Sequence, residues 1–524
     1  MSQMLKSSGA MAGATMTSRV LGMVREIVYA RFMGDGWVAG AFQLAFTIPN
    51  LFRRLLGEGA LTAAFIPVFK EKERTGSEKE MWRAANAVIS GLVVAAAAVI
   101  GLVLLGVSAA LAVHTFADKT QLMLQLLQVM FPYMLLVCLA AVFMGMLNAR
   151  GHFFIPAMGA TMLNVVMIAS VLLLAPCMGQ ELDQQIFALA VGVLLAGVAQ
   201  AAFQLPTLRQ EGFRYRWVSP WRDETVQRVV RQMIPGAIGV AAFQLNVLLT
   251  QGVAFWVDPS IVASFNYAVR LMELPQGVFG ISLATYLLPT LAGLAAEKRH
   301  PEFRTTLRHG LSHLLFANLI ASVLLVVLAG PIVRLLFERG RFTEESTMRV
   351  TFALVCLAPG LVAFSTVNIL ARAFYALGDT TTPMRVSIVS LAINLVLALG
   401  LVGPLRQGGL GIANTMSACI NVAFLLYALR QKLGRLELDE LRRALLPMAV
   451  AILIAAAAAW ASGYEWERWI GHGALPQKIG AVFVPATLAA GVYGLVALLV
   501  KLPAAIESRD LLLSHLRRSR SKHN

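Results

Sequence analysis

Charge is scarce in this chain. Only 14% of its 524 residues are Asp, Glu, Lys or Arg, whereas soluble domains carry about 25% charged residues. Hydrophobic residues make up 58% of the chain, and its mean hydropathy is +0.71. Apolar runs of about 20 residues, the length that a membrane-spanning helix needs, recur along the sequence. The composition therefore excludes a soluble globular protein and predicts an all-α polytopic membrane protein.

Cysteine is also rare, and the motifs of common enzymes are absent. The four cysteines stand in or at the ends of apolar segments, without metal-site spacing, and we interpret them as structural thiols. The sequence has no P-loop for ATP, no zinc-protease motif, no CxxC pair and no nucleophile elbow. We therefore predict a transporter rather than an enzyme, with no cofactor, that couples to a monovalent cation or to the membrane potential. The cysteines are Cys138, Cys177, Cys356 and Cys419.

The charges that are present are mostly positive. The chain has 44 Lys and Arg against 28 Asp and Glu, a net charge of +16. A basic chain suggests nucleic acid as a partner, but these residues cluster in alternate loops, the pattern of cytoplasmic loops in membrane proteins. We therefore predict contact with membrane lipids, no nucleic-acid partner, and both termini in the cytoplasm. The basic clusters lie at 70–83, 209–231, 298–308, 430–443 and 501–522.

The apolar pattern predicts about fourteen spans. Glycine and proline interrupt many of them, as at Pro49 and Pro275. Such breaks are tolerated where the freed backbone groups find other partners or line a cavity. The predicted spans are 9–33, 37–56, 84–113, 122–148, 155–176, 185–207, 227–256, 261–291, 307–336, 346–376, 383–402, 409–430, 441–462 and 477–500.

An internal repeat indicates how these spans are arranged. Residues 128–156 recur as residues 355–383, where a proline, a glycine and a second proline return at a common offset of 227 positions. A weaker echo pairs Pro67 with Pro289. Each copy would hold the fourth and fifth spans of a six-helix half, and because six is even, both halves enter the membrane from the same side. We predict two parallel six-helix bundles, at 1–215 and 216–435, then a two-helix hairpin at 436–500 and a basic cytoplasmic tail at 501–524.

Arginines stand inside or at the ends of the predicted spans. A guanidinium at membrane depth costs about 2.5–3.5 kcal/mol on insertion scales, so it persists where it faces a watery cavity or an anion. Helical spacing allows Arg54 to pair with Glu58 and Arg270 with Glu273, which would be a purely structural explanation. Even with every carboxylate paired, two of the five arginines remain, which favours a cationic cavity for a diphosphate. The arginines are Arg19, Arg25, Arg53, Arg54 and Arg270, and the carboxylates are Glu26, Glu58 and Glu273.

Polar side chains near these charges and in the later spans supply weaker candidates. Asn50 precedes the arginines of the second span and, with Glu26, Arg54 and Glu58, is a weaker candidate for the cavity wall. Asn246 and Asn394 are weak candidates for an ion site, although such amides more often join helices through hydrogen bonds.

Four motifs resemble the MurJ (MviN) family of lipid II flippases. The first is TSRVLG at 17–22 with the Arg-Glu pair at 25–26. The second is IPNLFRR at 48–54, followed by EGA at 58–60. YAVRLMELP at 267–275 and ARAFYALGDTTTP at 371–383 complete the set. The resemblance extends over nearly the whole chain, including the number of predicted spans.

The resemblance implies a fold, a substrate and site residues. It places the chain in the multidrug/oligosaccharidyl-lipid/polysaccharide exporter superfamily, whose two bundles rock to give alternating access. The substrate would be lipid II, the undecaprenyl-diphosphate-linked precursor of peptidoglycan, carried to the outer leaflet of the bacterial inner membrane. The last two helices would form part of a groove for the lipid tail. The family's cavity residues match Arg19, Arg25, Arg53, Arg270 and Glu273.

The chain departs from some relatives at two positions and in one stretch. Gly40 stands where some have an aspartate and Thr47 where some have a lysine, and 236–250 lacks the carboxylate of a sodium site.

Three other functions are alternatives to a lipid II flippase. A flippase for another polyprenyl-diphosphate glycan fits the residues equally well, whereas a multidrug antiporter predicts an acidic or apolar cavity. A non-transporting scaffold for cell-wall enzymes has no need of the arginines. Nothing in the sequence requires more than a monomer, and cell-wall synthesis machinery is a further candidate partner.

Overall fold

The computed structural model describes residues 2–55, 61–434, 436–437, 439–507 and 509–510, with side chains except at 2–15, 235, 236, 238, 239, 279, 281 and 282. The described residues form helices, turns and short connections, with no strand among them. The prediction of an all-α membrane protein is therefore confirmed.

The first compact unit comprises residues 1–263 together with 339–342. In it α1 packs along α7, α7 along α8, and α2 along α5. α9 lies in this unit against α2, α3 and α4, although the sequence predicts it as the first helix of the second bundle. The predicted domain boundaries themselves stay a prediction. The helices are α1 (Ser2–Met33), α2 (Trp37–Phe52), α3 (Thr62–Thr75), α4 (Glu78–Val113), α5 (Asp118–Met130), α6 (Tyr133–Ala149), α7 (Phe154–Ala169), α8 (Leu182–Gln210) and α9 (Glu224–Val257).

The second compact unit comprises residues 264–338 and 343–524. In it α15 packs against α11, α12 and α16, and the final pair, α17 and α18, pack on each other and against α12. The Tyr493 hydroxyl donates to the carbonyl of Phe316 at 3.0 Å and fixes α18 to α12. The helices are α10 (Pro259–Pro275, which begins in the first unit), α11 (Ser282–Ala296), α12 (His300–Val327), α13 (Ala329–Leu336), α14 (Glu344–Leu357), α15 (Gly360–Ala376), α16 (Thr381–Leu433), α17 (Asp439–Trp469) and α18 (Leu475–Leu499).

The helices are long and apolar enough to cross a membrane many times. Among the described residues eight helices qualify singly, and up to 11 spans result if three bent helix pairs are each counted once. α16 has 53 residues, about 80 Å at 1.5 Å per residue, which is far longer than one span. Its backbone leaves helical geometry at Arg406 (φ 47°, ψ −129°), between the two spans predicted there. The predicted number of fourteen is consistent with these helices.

One local prediction needs correction. The stretch after the second predicted span is not a loop, because Phe65, Val68 and Phe69 bury one face of it and fold it as α3. The predicted interruption at Pro275 is present, since the helices on either side of it form a pair bent by 42°. A π-helical segment at Gln276–Ile281 follows the proline and leads into α11, because a widened turn accommodates the proline.

The repeat predicted from the sequence is present in the backbone. α5 and α6 form a pair bent by 42° just at Pro132, and α14 and α15 form a pair bent by 45° at Pro359. Each pair ends in a turn whose glycine has a positive φ, +87° at Gly151 and +74° at Gly378. Proline at the bend removes a helical hydrogen bond, and glycine in the turn tolerates the left-handed backbone. The duplicated residues therefore mark duplicated structure.

The two turns are also fixed by ion pairs of opposite polarity. In the first unit Arg150 Nε lies 2.7 Å and His152 Nε2 lies 2.8 Å from the carboxylate of Glu211 at the end of α8. In the second, Asp379, which occupies the position that matches His152, accepts from Lys432 Nζ at 2.7 Å near the end of α16. The hydrogen bond from His152 lowers the pKa of Glu211, and that from Lys432 holds the pKa of Asp379 well below its usual range. The first turn is thus bonded to the C-terminal end of α8, and the second turn to the C-terminal end of α16.

Replacing Gly151 with alanine is expected to destabilise the protein by about 1–2 kcal/mol, because a residue with a Cβ is strained at this φ. A Cβ at Gly151 would meet no atom within 4 Å, so the effect isolates backbone strain. The measurement is thermal unfolding in detergent. Gly101→Ala is the matched control, since Gly101 lies inside α4 with equally open space and alanine favours a helix. Equal melting temperatures for the two variants would contradict the prediction.

Candidate substrate-binding site

The most constrained arginine is Arg25, in the middle of α1. Its Nη1 donates to Asn164 Oδ1 at 3.0 Å, and its Nη2 forms an ion pair with Glu26. The guanidinium also lies 5.4 Å from the ring centre of Tyr29, close enough for a cation–π contact. Only 13% of the Arg25 side chain and 9% of the Glu26 side chain are exposed. The pair is therefore a buried, oriented cation rather than a surface charge.

Asn164 sets the position of this cation. While its Oδ1 accepts from Arg25, its Nδ2 donates to the carbonyl of Ser18 at 3.2 Å. One amide in α7 thus holds both the side chain of Arg25 and the backbone of α1 one to two turns earlier. This role of Asn164 was not predicted from the sequence. The available signal was a buried amide in an apolar span, which is equally typical of ordinary helix packing.

Arg19 differs from Arg25 in having no anchor. Its side chain is exposed and makes no hydrogen bond or ion pair with any residue that the structure describes. From the end of α1 at Met33, Arg25 lies about 12 Å and Arg19 about 21 Å along the helix axis, at 1.5 Å per residue. Both distances fall within a hydrocarbon layer of about 30 Å. α1 therefore carries one buried and one open guanidinium along the span predicted at 9–33.

Arg53 follows the last turn of α2, about 24 Å along the helix from Trp37 at 1.5 Å per residue. Its Nε donates to Asn50 Oδ1 at 2.7 Å, so Asn50 orients the guanidinium instead of contributing a separate site. Arg54 is partly buried. Glu58, its predicted partner, lies outside the described residues, so that ion pair stays a prediction.

In the second unit Arg270 and Glu273 form the ion pair that their spacing allows. Arg270 Nη1 lies 2.8 Å from Glu273 Oε2, and the two side chains are 43% and 45% exposed. Arg270 lies about 17 Å along α10 from Pro259 at 1.5 Å per residue, again within membrane depth. An ion pair this open keeps hydrogen-bonding capacity toward an incoming anion, so pairing does not remove Arg270 as a candidate.

The two departures from related sequences have structural reasons. A Cβ on Gly40 would lie 2.1 Å from the carbonyl oxygen of Pro259, so no larger residue fits without moving that backbone. Thr47 donates its hydroxyl to Gln251 Oε1 at 2.9 Å and to the carbonyl of Gln43 at 2.8 Å. Gly40 is thus constrained by backbone packing, and Thr47 is held by its hydrogen bonds.

The structure leaves the ion-site candidates as predictions. Asn246 in α9 and Asn394 in α16 are both buried, 8% and 6% exposed. The carbonyl of Asn246 accepts from the hydroxyl of Thr250 at 2.8 Å, an ordinary bond within a helix. Among the described residues no group of three or more His, Cys, Asp or Glu side chains is placed to hold a metal ion.

The described site residues of the first unit carry excess positive charge. Among the candidate residues described there, Arg19, Arg25, Arg53 and Arg54 are basic, and Glu26 is acidic. Guanidinium groups bind phosphate oxygens through two parallel hydrogen bonds, and they do so most strongly where water is partly excluded. The chemistry available here is therefore capture of an anion such as a diphosphate.

Comparison with known proteins identifies the family. The family model described as "Lipid II flippase MurJ" matches residues 29–479. A protein of Haemophilus influenzae named "Probable lipid II flippase MurJ" is 33% identical over 512 residues, which cover 93% of this chain and 98% of the relative. This match spans almost the whole of both sequences.

Solved structures agree on the fold. A structure titled "Lipid II flippase MurJ, inward closed conformation" superposes with a TM-score of 0.78 at 20% identity, covering 96% of this chain and 99% of the other. An inward-facing multidrug resistance MATE transporter of the MOP superfamily superposes at 0.66 with 16% identity, covering 82% and 99%. The predicted all-α transporter fold is thereby confirmed. This chain belongs to the MurJ family of lipid II flippases.

Proposed function

We propose that this protein moves lipid II from the inner to the outer leaflet of the bacterial cytoplasmic membrane, for peptidoglycan synthesis. The observation that carries the proposal is the set of guanidinium groups at membrane depth, one of them open and one held in place by Asn164. Such groups cost free energy in a membrane unless an anion or water compensates them. A diphosphate beneath a sugar–peptide head group provides that compensation.

Each arginine has a different role in binding the diphosphate. Arg25, held by Glu26, Asn164 and Tyr29, is a fixed cation that needs no reorganisation when the diphosphate arrives. Arg19 is free to reach a phosphate oxygen, since no described residue holds its side chain. Arg53 and Arg270 supply further donors, and Glu273 limits how tightly Arg270 retains the anion.

Transport follows an alternating-access cycle without covalent chemistry. Lipid II enters from the cytoplasmic side, its diphosphate docks on the arginines, and the two bundles rock to open the outer side. The polyprenyl tail stays in lipid, along a groove formed by α17 and α18. Both termini face the cytoplasm, and the working unit is a monomer that supplies the cell-wall synthesis machinery. A cation gradient or the membrane potential drives the cycle.

The test is the leaflet location of lipid II in cells depleted of the protein and complemented with wild type or Arg270→Ala. We expect lipid II to accumulate on the cytoplasmic face during depletion, wild type to restore export, and Arg270→Ala to fail. Hydrogen bonds to charged groups are worth about 1.5–3 kcal/mol, so the variant should lose roughly ten-fold or more in export rate.

Arg299→Ala is the matched control, because Arg299 also pairs with glutamates, Glu297 and Glu302, yet lies outside the membrane-depth set. It should export normally. Unchanged lipid II export on depletion, in a strain without another exporter, would mean that the substrate is a different polyprenyl-diphosphate glycan. Equal export by Arg270→Ala and wild type would remove Arg270 from the site.

A further inference from the structure

The connection between α8 and α9 carries an unusual set of exposed side chains. We name residues 213–223 the aromatic–arginine loop. Tyr215, Trp217 and Trp221 are 49%, 59% and 72% exposed. Arg214, Arg216 and Arg222 alternate with them and are also exposed. Large aromatic side chains left this open on a connection between two spans require an explanation.

The aromatic–arginine loop is held in place rather than loosely extended. Phe213 is buried, with its ring 5.5 Å from that of Trp82. Asn86 in α4 donates to the carbonyl of Arg214 at 3.0 Å, and Ser90 bonds the hydroxyl of Tyr215 at 3.2 Å. At the other end Asp223 caps α9 by accepting from the backbone of Thr225 at 2.9 Å. The exposed side chains therefore project from a fixed backbone.

The arginines of the aromatic–arginine loop have no partners among the described residues. None of Arg214, Arg216 and Arg222 has a side-chain hydrogen bond or ion pair with a residue in the described parts of the chain. Acidic partners do occur close by in sequence, but other basic groups use them: Glu211 pairs with Arg150 and His152. Three unneutralised charges consequently remain beside the aromatic rings.

The corresponding connection of the second half is different. It joins α16 to α17, contains no aromatic residue between 434 and 439, and carries acidic residues instead. Glu437 pairs with Arg304 at 3.3 Å, and Glu440 pairs with Arg308 at 3.1 Å. One connection is thus internally neutralised while its counterpart is left cationic and aromatic, so the feature does not follow from the duplicated fold.

We infer that the aromatic–arginine loop is a binding site for the head groups of anionic phospholipids. It follows directly on α8, a candidate membrane span whose 29 residues extend about 43 Å at 1.5 Å per residue, which matches the thickness of a bilayer with its head groups. Tryptophan and tyrosine prefer this interfacial depth, and arginine binds phosphate through paired hydrogen bonds. The site is separate from the membrane-depth arginines, and the inference does not depend on the proposed function.

The test uses the full-length protein purified in detergent and stripped of lipid. Native mass spectrometry then counts bound phosphatidylglycerol or phosphatidylcholine as each lipid is titrated. Wild type should retain phosphatidylglycerol in preference to phosphatidylcholine. The triple variant Arg214→Gln/Arg216→Gln/Arg222→Gln should weaken the tightest phosphatidylglycerol site by about ten-fold or more, since basic residues near an anionic lipid surface each contribute appreciably.

Arg430→Gln/Arg442→Gln/Arg443→Gln is the matched control, because it removes three exposed arginines from the ends of α16 and α17. It should bind phosphatidylglycerol like wild type. Trp217→Ala/Trp221→Ala should weaken retention of both lipids, and unchanged circular dichroism and melting temperature establish folding in each variant. Equal loss in the two triple variants would mean a general charge effect and overturn the inference. Displacement of the lipid by equimolar glycerol phosphate would assign the loop to free anions instead.

Discussion

Replacing Arg19 with alanine should abolish most transport while leaving the protein as stable as wild type. Arg19 is exposed and makes no hydrogen bond or ion pair with any described residue, so the folded state loses no internal contact. The substrate would lose a charged hydrogen bond worth about 1.5–3 kcal/mol, equivalent to roughly ten- to hundred-fold in affinity. The measurements are lipid II flipping in proteoliposomes and thermal unfolding of the same preparations.

Arg19→Lys serves as the control for charge against geometry. A lysine keeps the positive charge but binds phosphate as a point charge, without the paired geometry of guanidinium. We expect partial flipping, between that of wild type and that of Arg19→Ala. Full flipping by Arg19→Ala, at unchanged stability, would show that the open cation of α1 does not touch the substrate.

Replacing Arg25 with alanine should damage both stability and transport. Arg25 is buried against Glu26 and bonded to Asn164, and breaking a buried ion pair from one side costs about 3–5 kcal/mol. The expected result is a clear fall in melting temperature together with loss of flipping. This combination distinguishes Arg25 from Arg19, although the two are six residues apart on one helix.

The double variant Arg25→Ala/Glu26→Ala separates the two effects. Removing Glu26 as well eliminates the buried carboxylate that Arg25 compensates, so much of the lost stability should return. Flipping should not return, because the substrate still lacks the fixed cation. A double variant that recovers stability and transport together would mean that Arg25 has only a structural role.

The architecture was largely predictable from the sequence, because it depends on local chemistry. The length of the apolar runs predicts the membrane-spanning helices. The recurrence of proline and glycine at a fixed offset predicts the matching bends at Pro132 and Pro359. What escaped prediction depends on packing over distance. α3 was missed because its buried face, including Phe69, is short and followed by charged residues. The interruption at Pro275 was predicted, but the π-helical segment that follows it was not.

The site was predictable in residue type but not in pairing. The spacing of Arg270 and Glu273 on one helix face allowed their ion pair, which the structure contains. The pairing of adjacent residues Arg25 and Glu26 was not foreseen, since neighbours in a helix point about 100° apart. Their contact, and the bond to Asn164 from 139 positions away, arise only when α1 and α7 pack together.

The opposite polarity of the two turn ion pairs has a consequence for how a duplicated chain assembles correctly. Because the two halves are similar, each turn could contact the helix end of the other half instead of the helix end in its own half. The first turn, which carries Arg150, would place two cations together if it met the helix end of Lys432, and Asp379 brought to Glu211 would place two acids together. Each mismatch is repulsive, whereas each native match is attractive. The reversed charges thus favour self-recognition within each copy as the spans enter the bilayer.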